Sequence, residues 1–107
     1  MENIVDASDK NIDELLSNSK IAIVHFSADW CFPCSVVASS LEQVAPKHKS
    51  VIFIKADVEK CKEQAARFGV VNVPTLILFN EGKAVERVFG NVPTPYLEHL
   101  LKKHLDQ

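Results

Sequence analysis

The sequence predicts an α/β fold, a central mixed β-sheet flanked by helices on both faces. Three observations predict it. Short apolar runs rich in β-branched residues alternate with segments of helical periodicity, the pattern of parallel strands joined by crossover helices. Late in the chain two such runs are separated only by a turn, which adds antiparallel strands. The 107 residues suffice for one core and leave no room for a second, so a single domain over residues 1–107 is expected.

Residues 4–5 suit a short edge strand. Ser8 is placed to cap a first helix, whose apolar positions Ile12, Leu15 and Leu16 share one face. Residues 21–28 (IAIVHFSA) are almost wholly apolar, as a strand covered on both faces requires. A helix is predicted from about residue 33 to residue 45. Val37, Leu41 and Val44 form its buried stripe, and Pro46 helps to end it. Residues 51–56 (VIFIKA) read as a second buried strand. Residues 60–68 read as a short helix closed by Gly69. Residues 75–79 (TLILF) and 84–89 (AVERVF) pair around the hairpin signal Asn80-Glu81-Gly82-Lys83. After Gly90, Thr94 as N-cap and Pro95 open a last helix, with Leu97, Leu100, Leu101 and Leu105 facing inward. His99, Lys102, Lys103 and His104 are expected on its solvated face.

Composition narrows the function. Apolar residues make up 47% and charged residues 24%, the balance of a soluble globular protein. The net charge is -2, from 12 basic and 14 acidic side chains. With no basic block and no aromatics interleaved with Arg or Lys, a nucleic acid is not an expected partner. No apolar run approaches the ~20 residues that cross a bilayer, so no membrane partner is expected. The opening MENIVDASDKNIDELLSNSK has no long apolar stretch and no Lys/Arg-rich start. That predicts a cytoplasmic chain without a leader. Three glycines form no phosphate loop, so no nucleotide or flavin cofactor is expected. Nothing in the sequence demands more than a monomer.

The chemistry lies in the cysteines. Three are too few for a disulfide framework, but Cys31 and Cys34 form a C-x-x-C between a buried strand and a helix. At a helix N-terminus, free N–H groups and the helix dipole favour a thiolate at Cys31. Cys34, one turn later, can close a ring with it. Cys31 is therefore assigned as nucleophile and Cys34 as resolving thiol. Pro33, without an N–H, fits the first helical turn and stiffens the loop between the sulfurs. A closed zinc site needs four ligands. Cys61, His48, His99 and His104 show no second-pair spacing, so no metal is expected.

Trp30-Cys31-Phe32-Pro33-Cys34 after a hydrophobic strand, together with Val73-Pro74-Thr75, resembles the thioredoxin family. The resemblance covers nearly the whole chain and includes Phe26, Ala28, Lys55-Ala56-Asp57-Val58, Phe79, Gly82 and Gly90. It implies the thioredoxin fold and a protein-disulfide reductase that cycles between dithiol and disulfide. Its partners would be disulfide-bearing proteins and a thioredoxin reductase or glutathione-linked donor. It further implies that Trp30 packs beside the site. Val73 would pair through its backbone with an extended substrate. Pro74 would be cis and face the sulfurs, and Gly90 would allow close approach.

The chain departs from the family pattern at several positions. Phe32 stands where a thioredoxin has Gly, placing an apolar ring at the lip of the site and bearing on partner choice. His25 stands where the family buries an Asp behind the resolving cysteine, with the family's Lys kept as Lys55. Burial and that cation both favour a neutral imidazole, which can still accept a proton. Ser35 replaces a common Lys and removes a cation that favours the thiolate. Cys61, flanked by Lys60 and Lys62, is a candidate regulatory thiol if exposed. The alternative to a reductase is a thioredoxin-fold interaction or redox-sensing module with little turnover. The intact cysteine pair, Trp30 and Pro74 favour the enzyme.

Overall fold

The computed structural model describes residues 3–105. Along them run β1 (Ile4–Asp6), α1 (Ile12–Ser17), β2 (Ile21–Ser27), α2 (Phe32–Val44), β3 (Ile52–Asp57), α3 (Lys62–Arg67), β4 (Thr75–Asn80), β5 (Lys83–Phe89) and α4 (Thr94–Leu105). A 3-10 turn over Ala45–Lys47, carrying Pro46, ends α2. The order of elements is the one the sequence predicts.

The strands lie in the order β1-β3-β2-β4-β5. β3 pairs parallel with β1 and β2, whereas β4 runs antiparallel to β2 and β5. β2 is therefore central, and its residues are buried from Ile21 to Phe26. Successive side chains of a strand point to opposite faces. Ile21 and Ile23 join Val37, Leu41, Phe53, Leu97 and Leu101 in one core, beneath α2 and α4. Ala22, Val24 and Phe26 join Ile12, Leu16, Ile54 and Phe79 in a second core, beneath α1 and α3. The near-continuous apolar run of β2, interrupted only by His25, is the consequence of filling both.

Local chemistry sets the boundaries. The β4–β5 hairpin turns at Glu81 (φ 51°) and Gly82 (φ 82°), the two positive values that a tight hairpin demands. The capping expectation at the first helix needs correction. α1 begins after Asn11 rather than Ser8. Ser8 instead accepts the Lys10 N–H through its hydroxyl, and its own N–H donates to Asn11 Oδ1, which builds the turn before the helix. Asn3 Nδ2 donates to the carbonyls of Ala45, His48 and Val51 at 2.8, 3.0 and 3.2 Å. One amide thereby ties the start of β1 to the segment between α2 and β3.

His104 also corrects the sequence reading. It is buried, and its Nε2 lies 2.7 Å from Glu86 Oε2 on β5. Position 104 follows Leu100 and Leu101 at helical spacing, so it belongs to the inward stripe of α4. The carboxylate that makes an imidazole acceptable there comes from another element. His99 is exposed, as expected.

Candidate active site

Cys31 and Cys34 sit where β2 hands over to α2. Cys31 is the N-cap of the helix, with extended backbone, and Cys34 lies in its first turn. The two sulfurs are joined in a disulfide with the Cα atoms 5.3 Å apart. The Cys34 N–H donates to Cys31 Sγ at 3.2 Å, so the cap is a sulfur atom. That donor and the positive end of a 13-residue helix stabilise negative charge on Cys31 once the disulfide opens. Pro33 occupies the start of the helix, where its missing N–H costs no hydrogen bond. Both cysteines are largely buried, with 8% and 4% of their surface exposed, whereas Phe32 between them is 78% exposed.

Ala28, Cys31 and Cys34 form a small apolar cluster, against which Val58 and Val73 pack. The Val73–Pro74 peptide bond is cis, as the resemblance implies. The loop containing it is held from two sides. Thr75 Oγ1 donates to the Asn72 carbonyl at 2.7 Å. The Gly90 N–H donates to the Pro74 carbonyl at 3.0 Å. Gly90 has φ +96°, and among the described residues nothing lies within 4 Å of the Cβ it lacks. Backbone conformation, not crowding within the chain, is what calls for glycine there.

Trp30 is 71% exposed. Its indole N–H donates to Glu59 Oε1 at 3.3 Å, and the ring lines a cleft of about 330 Å³ with Val58, Val70, Val71, Asn72 and Val73. Glu59, Val71 and Asn72 were not legible as site residues. Glu59 approaches Trp30 because the ends of β2 and β3 meet, where the Val58 N–H donates to the Ser27 carbonyl at 2.8 Å, whereas Val71 and Asn72 come from the segment between α3 and β4.

His25 lies on β2 two residues beyond Ile23, which places it on the sheet face that α2 covers. It is 1% exposed. Among the described residues neither ring nitrogen has a hydrogen-bond partner. Burial, aided by the positive charge of Lys55, lowers its pKa to about 4. Lys55 is its register partner on β3 and is exposed beside Ala38 and Glu42 of α2. The imidazole is therefore neutral near pH 7.

Cys61 departs from expectation. It is completely buried in the core beneath α1 and α3, and its thiol donates to the Ala7 carbonyl at 3.4 Å. Burial, reinforced by Asp9 and Asp57, pushes its pKa up, and Lys60 opposes this only weakly. The regulatory reading required an exposed thiol, and the side chain between the flanking lysines turns inward. Among the described residues, no group of three or more His, Cys, Asp or Glu side chains is placed to hold a metal.

The thioredoxin family model matches residues 3–103. A thioredoxin from Staphylococcus haemolyticus is 39% identical over 103 residues, spanning 95% of this chain and 98% of that protein. The chain belongs to the thioredoxin family. A thioredoxin from Mycoplasmoides gallisepticum is 36% identical over 91 residues, spanning 85% of this chain and 91% of that protein. A mutant thioredoxin from Halobacterium salinarum superposes with a TM-score of 0.89 at 29% identity, covering 96% of this chain and 91% of that one. The mixed sheet with its flanking helices is the thioredoxin fold. Cys31–Cys34 is the redox-active pair of a thiol–disulfide oxidoreductase that reduces protein disulfides. Family membership implies disulfide-bearing protein substrates and a reductase as electron donor.

Proposed function

We propose that Cys31 is the attacking sulfur, Cys34 the resolving one, and His25 the acceptor of the Cys34 proton. The reading rests on one observation above the others, the place of Cys31 Sγ at the cap of α2 with the Cys34 N–H directed at it. The Cys31 thiolate attacks one sulfur of a substrate disulfide. That S–S bond breaks, a mixed disulfide forms, and the departing thiolate takes a proton from water. Cys34 then gives its proton to His25 and attacks Cys31 Sγ. The mixed disulfide breaks, and the second substrate sulfur leaves as a thiolate. Two electrons have passed from the cysteine pair to the substrate, and the Cys31–Cys34 disulfide remains.

His25 suits its role because a neutral imidazole has a free lone pair, and neither of its nitrogens is engaged elsewhere among the described residues. Lys55 helps to keep it neutral between turnovers. Trp30, Phe32, Pro33, Val73, Pro74 and Gly90 receive the substrate. The backbone of Val73 pairs with an extended segment, and Gly90 presents no side chain to it. The protein acts as a cytoplasmic monomer without organic cofactor or metal. A thioredoxin reductase or a glutathione-linked system reduces it again, and neither nucleic acid nor membrane takes part.

Dithiothreitol-driven reduction of insulin disulfides tests the assignment. Wild type turns over, Cys31→Ser is inactive, and Cys34→Ser accumulates a mixed disulfide. A Cys31→Ser variant that still forms the adduct overturns the order of attack. For His25, the pH profile decides. His25→Ala loses an acid limb that wild type shows, and unchanged profiles refute the proton transfer.

A further inference from the structure

We infer that the substrate contact at Phe32 continues along the exposed stripe of α2 to Val36, and that this stripe selects protein disulfides flanked by uncharged, bulky apolar residues. The inference rests on the reductase reading and deepens it by naming what sets substrate choice. Phe32 and Val36 lie four positions apart on one helix, so their side chains are neighbours on its surface. Phe32 is 78% exposed and Val36 is 44% exposed. Phe32 lies between the two reacting cysteines, which makes the stripe continuous with the place where a substrate disulfide must dock.

The exposed hydroxyls of this face are engaged within the helix itself. Ser35 Oγ donates to the Phe32 carbonyl at 2.6 Å. Ser39 Oγ accepts from Gln43 Nε2 at 3.5 Å. Residues 32–41 (FPCSVVASSL) contain no charged side chain. A charged substrate residue pressed on this stretch of helix would lose water and find no ion on residues 32–41 to replace it. An apolar side chain would cover Phe32 and Val36 and gain from the area removed from water. The occupant is thus a substrate segment with leucine-like or aromatic residues beside its cysteine. The Trp30 side of the disulfide differs, because the Glu59 carboxylate lies there at the indole.

The test compares two disulfide-bridged peptide dimers, identical except for Leu or Asp beside the cysteine, with oxidised lipoamide as a small reference disulfide. Wild type reduces the Leu dimer with a kcat/KM about tenfold above that of the Asp dimer, mostly through KM. Val36→Asp, outside the disulfide ring, cuts that preference by about fivefold, measured against lipoamide in the same preparation. Phe32→Gly cuts it in the same direction. Val85→Asp, a matched change at a 42% exposed valine of β5, leaves the preference as in wild type. Equal rates on the two dimers in wild type overturn the inference, as does a preference that Val36→Asp and Phe32→Gly leave intact. Failure of wild type on lipoamide and both dimers overturns it together with the reductase reading.

Discussion

Acidification from pH 7 to pH 4 is expected to cost the folded protein about 3 kcal/mol through His25. The unfolded imidazole titrates near 6.5, whereas in the folded state burial and Lys55 lower it to about 4. Each tenfold fall in proton affinity is about 1.4 kcal/mol. Between those two values the unfolded chain binds a proton that the folded chain refuses. Stability therefore falls as pH falls through this window, and the full contribution is present above pH 6.5. Glu86 moves in the same direction. Its hydrogen bond to His104, helped by Lys103, holds its carboxyl below the usual value, so its contribution is lost at still lower pH. Comparison with His25→Leu removes this shared part. The assay is urea unfolding of reduced wild type and His25→Leu at several pH values between 7 and 4. Wild type loses about 3 kcal/mol more than the variant over that range. Parallel losses would refute the claim that His25 is held neutral by burial.

Cys61 is expected to resist alkylation by iodoacetamide in the folded, reduced protein and to react freely in urea, because its thiol is buried and its pKa raised. Mass spectrometry after timed quenching checks this, and rapid native labelling would show that the core beneath α1 and α3 opens. Glu86→Ala leaves the buried His104 Nε2 without its partner and is expected to cost about 1–3 kcal/mol in denaturant unfolding. Asn3→Ala removes an amide that serves three carbonyls and is expected to cost about 1–2 kcal/mol. Glu59→Gln keeps an acceptor for the Trp30 indole N–H, whereas Glu59→Ala removes it. Trp30 fluorescence is therefore expected to shift in the second variant and not in the first.

Much of this protein was legible in its sequence, because the signals involved are local. The apolar run of β2, the spacing of Val37, Leu41 and Val44, the Glu81-Gly82 turn and the Cys31–Cys34 spacing each depend on residues within a few positions of one another. They predicted the order of the elements and the place of the redox pair at a helix start. Helix starts are less legible, since Ser8 and Asn11 both carry side chains that can cap, and only the bonds of the turn, Ser8 N–H to Asn11 Oδ1 and Lys10 N–H to Ser8 Oγ, decide between them.

Contacts between distant segments were decided by tertiary structure alone. His104 reads as a surface histidine until Glu86 is brought to it from β5. Cys61 reads as a candidate regulatory thiol until α1 and α3 close over it. Glu59 reaches Trp30 only because parallel pairing aligns the ends of β2 and β3. His25 could be foreseen as buried and neutral, but not as lacking, among the described residues, a hydrogen-bond partner at either nitrogen. Periodicity shows which way a side chain points. What it meets depends on chain segments folded in from elsewhere, and that sets its charge, its exposure and its reactivity.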